Sequence, residues 1–432
     1  MTAMRPPSRH VAVVGGGIIG LAIAWAAVGR GHRVTLIDPS PASGATYAAA
    51  GMLAPVSELH YREESLLDLT LASAWMYRKF TSDVEDASGL ETGYLAAGTL
   101  VAGVDAADRQ ALADLRAAQL ELGLEVQELS TREARRMEPM LGPQLTGAFL
   151  IPDDHQVDPR AFAAALLAAL QAGVRVEIVR TAAVGLLYGN AEDDGVTRDA
   201  IRHGTGTCGM DDGDWDDGGM VTGVRLADGS RIDADEVVLA NGLGAASMDG
   251  LPDGLELPLR PVYGDILRLR APQQLQPLVT RTVRAVVRGF PVYVVPRSDG
   301  TVVIGATQRE DGSDALSAGG VYQLLRDAQT VVPAVAELEL LEAVCRARPG
   351  TPDNAPLLGG CRRTDGADVP GLIVATGFFR HGVLLAPVAA AICADLLDGV
   401  TPDVDIEPYR PDRFRHGSTV PGNLSDLQRS QP

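Results

Sequence analysis

Aromatic residues are scarce in this 432-residue chain, at 4%. With 46% hydrophobic residues and 48 glycines, a large core is aliphatic and small-residue rich, which fits an α/β protein and excludes a disordered one. Cysteines are few. Cys208, Cys345, Cys361 and Cys393 stand far apart with no C-x-x-C pair, which excludes a disulfide framework or a zinc site of that pattern and suits a reducing cytoplasm. Positive charge is short: 37 Lys and Arg against 56 Asp and Glu leave a net charge of -19, which repels nucleic acid and anionic membranes. Neither is expected as a partner. Residues 1–10 hold no apolar run, so no secretory signal is expected. The one span-length apolar run, 11–28, is broken by Gly15, Gly16, Gly17 and Gly20. It reads as strand, turn and helix, not as a membrane span.

The length suits about two to three domains. A β-branched run at 10–14, a helix over 17–30 stopped by Gly31 and a strand over 33–38 make one βαβ unit. A long helix is expected over 63–84, with Leu66, Leu67, Leu71 and Trp75 at helical spacing. A strand follows at 99–104, a helix at 106–122, and a capping box at Ser130 and Glu133. The pattern then predicts a helix over 159–172 and a strand-like stretch over 174–184. Residues 189–219 are rich in Asp and Gly and read as an acidic insertion without chemistry. A hairpin is expected around 227–230, and a buried strand at 236–240. Short runs at 262–269, 281–287, 293–295 and 302–304 suggest an antiparallel sheet. A helix over 321–331, a strand over 371–375, a helix over 383–397 and a polar tail past Arg410 complete the reading.

The sequence Gly15-x-Gly17-x-x-Gly20 sits between the first strand and the first helix. Gly15 permits the tight turn, Gly17 lets backbone approach a pyrophosphate, and Gly20 lets helix pack on strand; the helix N-terminus offers N–H groups to phosphate. Asp38, 18 residues past Gly20, is placed to bind ribose hydroxyls. Two later segments, 237–242 and 371–377, are apolar strands running into small-residue turns. A chain that returns twice to one crevice suits a long, permanently held FAD better than a dissociable NAD.

Four segments carry a family likeness: 43–53 (SGATYAAAGML), 293–297 (YVVPR), 347–353 (ARPGTPD) and 379–385 (FRHGVLL). With them the chain resembles the D-amino-acid-oxidase superfamily, and within it the glycine oxidases, over nearly its whole length. The resemblance implies a Rossmann-like FAD-binding domain of glutathione-reductase type, over 8–84, 148–254 and 345–410. An antiparallel-sheet α+β substrate domain would span 85–147 and 255–344, with the insertion at 189–219 and a tail at 411–432. It implies FAD contacts at Gly15, Gly16, Gly17, Ile18, Ile19, Gly20, Asp38 and Pro39. Further contacts fall at Ala45, Thr46, Ala49, Ala50, Gly51, Met52 and Val184, then Asn241 and Gly242. The last set is Phe379, His381, Gly382, Val383 and Leu384, the final four opening the last helix with N–H groups toward the reduced ring.

Arg380 is implied as a clamp on the substrate carboxylate, with Arg348 close by and Tyr293 donating to it. A guanidinium fork matches a carboxylate, and burying one without an anion is costly. The alternative for Arg348 and Arg380 is a structural ion pair, for example with Asp353, and for Tyr293 a core strand position. His381 stands where Asn is common in the family, and Phe378 where His is often found. Some sarcosine oxidases tether flavin to a cysteine near Cys345. Strand alternation puts Cys345 on the face opposite Arg348, and Arg346 holds the tethering position, so FAD is expected to be non-covalent. His155 is read as a structural polar residue.

The implied reaction is hydride transfer from the substrate Cα, with no side-chain base and with dioxygen as acceptor. It converts glycine, small amines or D-amino acids into a 2-oxo acid, ammonia and peroxide, and feeds the thiazole half of thiamine. A homo-oligomer in the cytoplasm is implied too. A D-amino-acid dehydrogenase, a sarcosine- or proline-type oxidase and a non-catalytic FAD-holding subunit remain open alternatives.

Overall fold

The computed structural model describes residues 7–59, 63–189 and 219–415. The acidic stretch expected at 189–219 falls outside it except for its end residues, as does the tail from 416.

The β-branched first strand, His10–Val14, is buried at the centre of a six-stranded sheet. Its neighbours are Arg33–Ile37 and Glu236–Leu239, both parallel to it. Val176–Val179 and Asp368–Thr376 extend the parallel array on either side, and Leu357–Arg362 closes one edge antiparallel. Four helices cover one face: Ile18–Arg30, Leu67–Ser88, Pro159–Ala172 and Ala386–Leu397. A small antiparallel sheet of Ala183–Gly189, Met220–Leu226 and Arg231–Asp233 covers the other. Apolar strands buried on both faces are what a covered parallel sheet requires.

The second sheet has eight strands, in the order Glu339–Gly350, Arg260–Arg270, Thr301–Gly305, Phe290–Pro296, Thr282–Val287, Thr99–Gly103, Gly147–Ile151, Gln127–Leu129. It is antiparallel as expected, except that Thr282–Val287 runs parallel to Thr99–Gly103. Alternation gives it two distinct faces. Val283, Ala285 and Val287 join a core with Leu324 and Val331 of the helix Ala318–Val331. Arg284, Val286, Tyr293 and Val295 point the other way. There Val295 packs with Ala48 and Ala50, while Val101 and Phe149 pack with Leu112 of the helix Ala106–Glu121. The strands Gly147–Ile151 and Glu339–Gly350 pair continuously across the boundaries expected at 147/148 and 344/345, so dividing the chain there would cut the sheet.

Several local expectations are corrected. Trp75 is 90% exposed: the long helix buries Leu69, Thr70, Ser73, Tyr77, Thr81 and Val84 instead. Its orientation is set by hydroxyls. Ser73 donates to the Leu384 carbonyl at 2.6 Å and Tyr77 donates to that of Val383. The stretch 174–184 is two strands in two sheets, broken between Val179 and Ala183. The last helix starts at Ala386, not 383, because Pro387 tolerates only its first turn; residues Phe379–His381 form a 3₁₀ turn before it. Residues 411–415 are not a free tail: Arg413 forks onto Asp353 at 2.9 and 3.0 Å. The capping box at Ser130 and Glu133 is present.

Candidate active site

The two sheets share a cleft of about 540 Å³. Its first end is the glycine turn. Gly15 has φ +106°, and a Cβ on Gly20 would lie 1.8 Å from the Gly15 carbonyl, so only glycine lets the helix lie this close to the strand. Gly15, Gly17, Ile18 and Ile19 line the cleft. The Ile18 N–H is taken by Thr46 Oγ1 at 3.0 Å; among the described residues those of Gly17 and Ile19 find no acceptor, as an anion-binding helix start requires. Asp38 also lines the cleft and accepts from the Gly16 and Ser40 N–H groups at 2.6 and 2.7 Å.

Ala45, Thr46, Ala49, Ala50, Gly51 and Met52 form the next wall. Arg297 of the 293–297 segment braces it: its guanidinium donates to the Ala50 and Val157 carbonyls and to Gln156. Burial lowers the Arg297 pKa to about 10, against the pull of Asp158. Asn241 and Gly242 face the cleft, and the Thr376 hydroxyl donates to the Gly242 carbonyl at 2.9 Å, joining both returning segments. Phe379, Gly382 and Val383 complete the set, Phe379 in the left-handed region at φ +48°, a strain of order 1–3 kcal/mol.

Six expected contacts do not line the cleft: Gly16, Gly20, Pro39, Val184, His381 and Leu384. Gly16 and Gly20 act through the turn itself, and Pro39 is exposed. The Val184 carbonyl accepts from Asp249 at 2.9 Å, in the small sheet. His381 is buried with its N–H donating to the Phe378 carbonyl at 2.9 Å, so that N–H is not available to a ring; the Leu384 carbonyl is held by Ser73.

At the second end Tyr293, Arg348 and Arg380 all line the cleft. Two glycines across the sheet make room for two of them. A Cβ on Gly264 would lie 2.3 Å from Arg348 Nη1, and one on Gly305 would lie 2.4 Å from the Tyr293 hydroxyl. Glycine inside a strand marks such an approach, a signal the sequence carried unread. Burial pushes the Tyr293 hydroxyl to about 12, against the pull of Arg348, so it stays a donor. Arg348 Nη1 donates to the Thr307 carbonyl at 3.4 Å, and among the described residues no carboxylate pairs with it. The alternative of a pair with Asp353 is excluded, since Arg413 takes that carboxylate. Arg380 follows the alternative of an ion pair, with a different partner: Glu63 holds it, with Nη1 at 3.3 Å from Oε1 and Nη2 on Oε2. Its Nε is buried with no partner among the described residues.

Glu58 and Arg284, which lie in no motif, meet in the cleft at 2.7 Å across 226 residues. Burial opposes the charge on Glu58, but Arg284, His381 and Arg380 outweigh it and hold the carboxyl below its ordinary range. Such a group is an ion-pair partner, not a proton acceptor. Cys345 lies on the far face of its strand from Arg346 and Arg348, its Sγ 3.3 Å from Arg309 Nη2 and its thiol pKa raised by burial and Asp265. His155 stacks edge-on against Tyr94 in a two-stranded ribbon with Leu53, away from the cleft.

The model of the family described as FAD dependent oxidoreductase matches residues 10–396. The chain belongs to this family. Among its relatives, the glycine oxidase of Geobacillus kaustophilus is 32% identical over 403 residues, covering 92% of this chain and 95% of that protein. A crystal structure of glycine oxidase from that organism superposes with a TM-score of 0.78 at 30% identity, covering 95% of this chain and all of the other. The bifunctional protein ThiO/ThiG of Trichormus variabilis is 31% identical over 425 residues, or 96% of this chain. The chain spans just over half the length of such bifunctional relatives, 56% in this case.

The residues present fit the FAD of this oxidoreductase family. A helix start with unpartnered N–H groups suits a pyrophosphate, a carboxylate sits at the end of the second strand, and a wall of alanines and glycine leaves space for a flat ring. Among the described residues no helix is long and apolar enough to cross a membrane.

Proposed function

We propose that this flavoprotein oxidises glycine, and other small amines or D-amino acids, to the 2-oxo acid, ammonia and hydrogen peroxide. One observation carries the reading. A guanidinium with no carboxylate partner, Arg348, and a protonated hydroxyl, Tyr293, sit at one end of a cleft whose other end is the Gly15–Gly20 turn. An anion is what that guanidinium lacks. In this reading Arg348 grips the substrate carboxylate and Tyr293 donates to it. The Arg380 Nε edge adds a further donor, and Arg380 gains its full fork when Glu63 yields.

Fixing the carboxylate fixes Cα, so positioning supplies most of the rate enhancement asked of the side chains. The chemistry a bound flavin supplies is uptake of the Cα hydrogen with its electron pair and passage of both electrons to dioxygen. The balance is glycine, dioxygen and water giving glyoxylate, ammonia and hydrogen peroxide. Leu384 and Val383, anchored by Ser73 and Tyr77, hold the turn carrying Arg380 against the long helix. We further propose that FAD is held non-covalently, that the product enters the thiazole half of thiamine, and that the protein is a cytoplasmic homo-oligomer.

The test is a peroxide assay on the purified yellow protein with glycine, sarcosine, D-proline and D-alanine. Peroxide and glyoxylate forming in equal amounts from glycine is the expected result. Dye reduction without peroxide identifies a dehydrogenase, and no turnover with any of the four overturns the reading.

A further inference from the structure

A second cavity, of about 320 Å³, adjoins the substrate end of the cleft. Both stand on the same face of the eight-stranded sheet. From strand to strand the register runs Gly305, Tyr293, Arg284, Val101, Phe149. At roughly 4.8 Å per strand, Phe149 lies about 14 Å from Tyr293. The floor is therefore continuous from the substrate donors to the far chamber. The roof is the helix Ala106–Glu121, through Leu112 and Leu115.

The chamber wall is mostly apolar. Its polar side chains are largely engaged: the Gln119 amide donates to the Val56 carbonyl at 2.8 Å, and Arg284 is held by Glu58 at 2.7 Å. The Ser57 hydroxyl lies beside the Asp154 carboxylate, which also accepts from the Ser57 N–H at 2.7 Å. A wall of this composition offers water few partners and suits an apolar gas. Arg284 and Pro291 line both spaces, so the Arg284–Glu58 pair stands at the junction. An amino-acid side chain reaching the chamber has to break that pair and strand two half-buried charges. A diatomic apolar gas does not.

We propose that this chamber collects dioxygen and delivers it past Pro291 to the flavin end of the cleft. The proposal rests on the oxidase reading. The test therefore leaves amine substrates aside: the flavin of the holoprotein is reduced with dithionite and mixed with oxygenated buffer in a stopped-flow instrument. Two variants fill the chamber from opposite sides, Val101→Phe from the floor and Leu115→Trp from the roof. In each folded variant the second-order rate constant for reoxidation is expected to fall by roughly tenfold. A crystal under xenon pressure is expected to show xenon between Val101 and Leu115 in the parent and none in the variants. Unchanged reoxidation in either folded variant, or no xenon in the parent, overturns the proposal. Reduced parent protein that does not react with oxygen refutes the oxidase reading instead.

Discussion

Arg348 faces a glycine on the adjoining strand and has no counter-ion among the described residues. Removing it should leave the cofactor end untouched. Arg348→Ala is expected to cost about 2–3 kcal/mol of transition-state binding, roughly a hundredfold in kcat/KM for glycine, with the flavin spectrum retained. Gly264→Ala reaches the same group from the other side, because its methyl enters the space of the guanidinium. It is expected to raise KM without unfolding the protein, measured by steady-state kinetics beside a melting curve. Glu63→Gln should do the reverse: freeing Arg380 of its carboxylate is expected to lower the KM for glycine, and an unchanged or higher KM refutes that role. That Arg348 and Arg380 line one cleft was legible because a guanidinium in apolar surroundings needs an anion, and Tyr293 was legible through the family likeness. Glu58 and Arg284 were not, since neither lies in a motif and they meet only through folding.

Among the elements, the loop carrying Glu58 hangs from a buried carboxylate. Asp154 accepts from the Val56 and Ser57 N–H groups at 3.1 and 2.7 Å, and burial raises its pKa to about 6 in spite of those bonds. A carboxyl with a raised folded-state pKa favours folding while protonated and loses that advantage as pH rises. The window lies between the ordinary value of 3.8 and about 6. Across it the parent is expected to lose about 3 kcal/mol relative to Asp154→Asn, which does not titrate, on top of a pH-independent loss of one acceptor. Melting temperatures of both proteins from pH 4 to 7 check this; a constant difference refutes it. The βαβ unit and the capping box were readable because their signals are local. The burial of the long helix was not: Trp75 fits the apolar stripe by spacing, yet Ser73 and Tyr77 turn the helix toward Val383 and Leu384. Likewise Pro387 overruled the apolar run that seemed to begin the last helix at 383.

For the molecule as a whole, one ligand spans both sheets, so stability and cofactor are linked. At a free concentration near a thousandfold above Kd, FAD is expected to stabilise the stripped protein by about 4 kcal/mol. FMN has no adenylate to reach the Asp38 end, and its shift in melting temperature is expected to be smaller. Equal shifts from the two would place the binding energy elsewhere. The sequence marked most strands of both sheets, but not Gln127–Leu129, Gly147–Ile151 or Leu357–Arg362, and not the strand order. That order rests on pairs such as Val101 with Arg284, brought together from distant parts of the chain.

The strand Glu339–Gly350 is matched residue for residue to Arg260–Gly264 near its end, with Arg348 opposite Val262 and Arg346 opposite Gly264. Side chains on a strand alternate, so inserting or deleting a single residue just before Arg346 would turn the strand over. Ala347 would then face the cleft in place of the two arginines, and both guanidiniums would be driven to the face that Cys345 occupies. In the proposed reading of Arg348, a shift of one residue is enough to put an alanine methyl where a carboxylate grip stood.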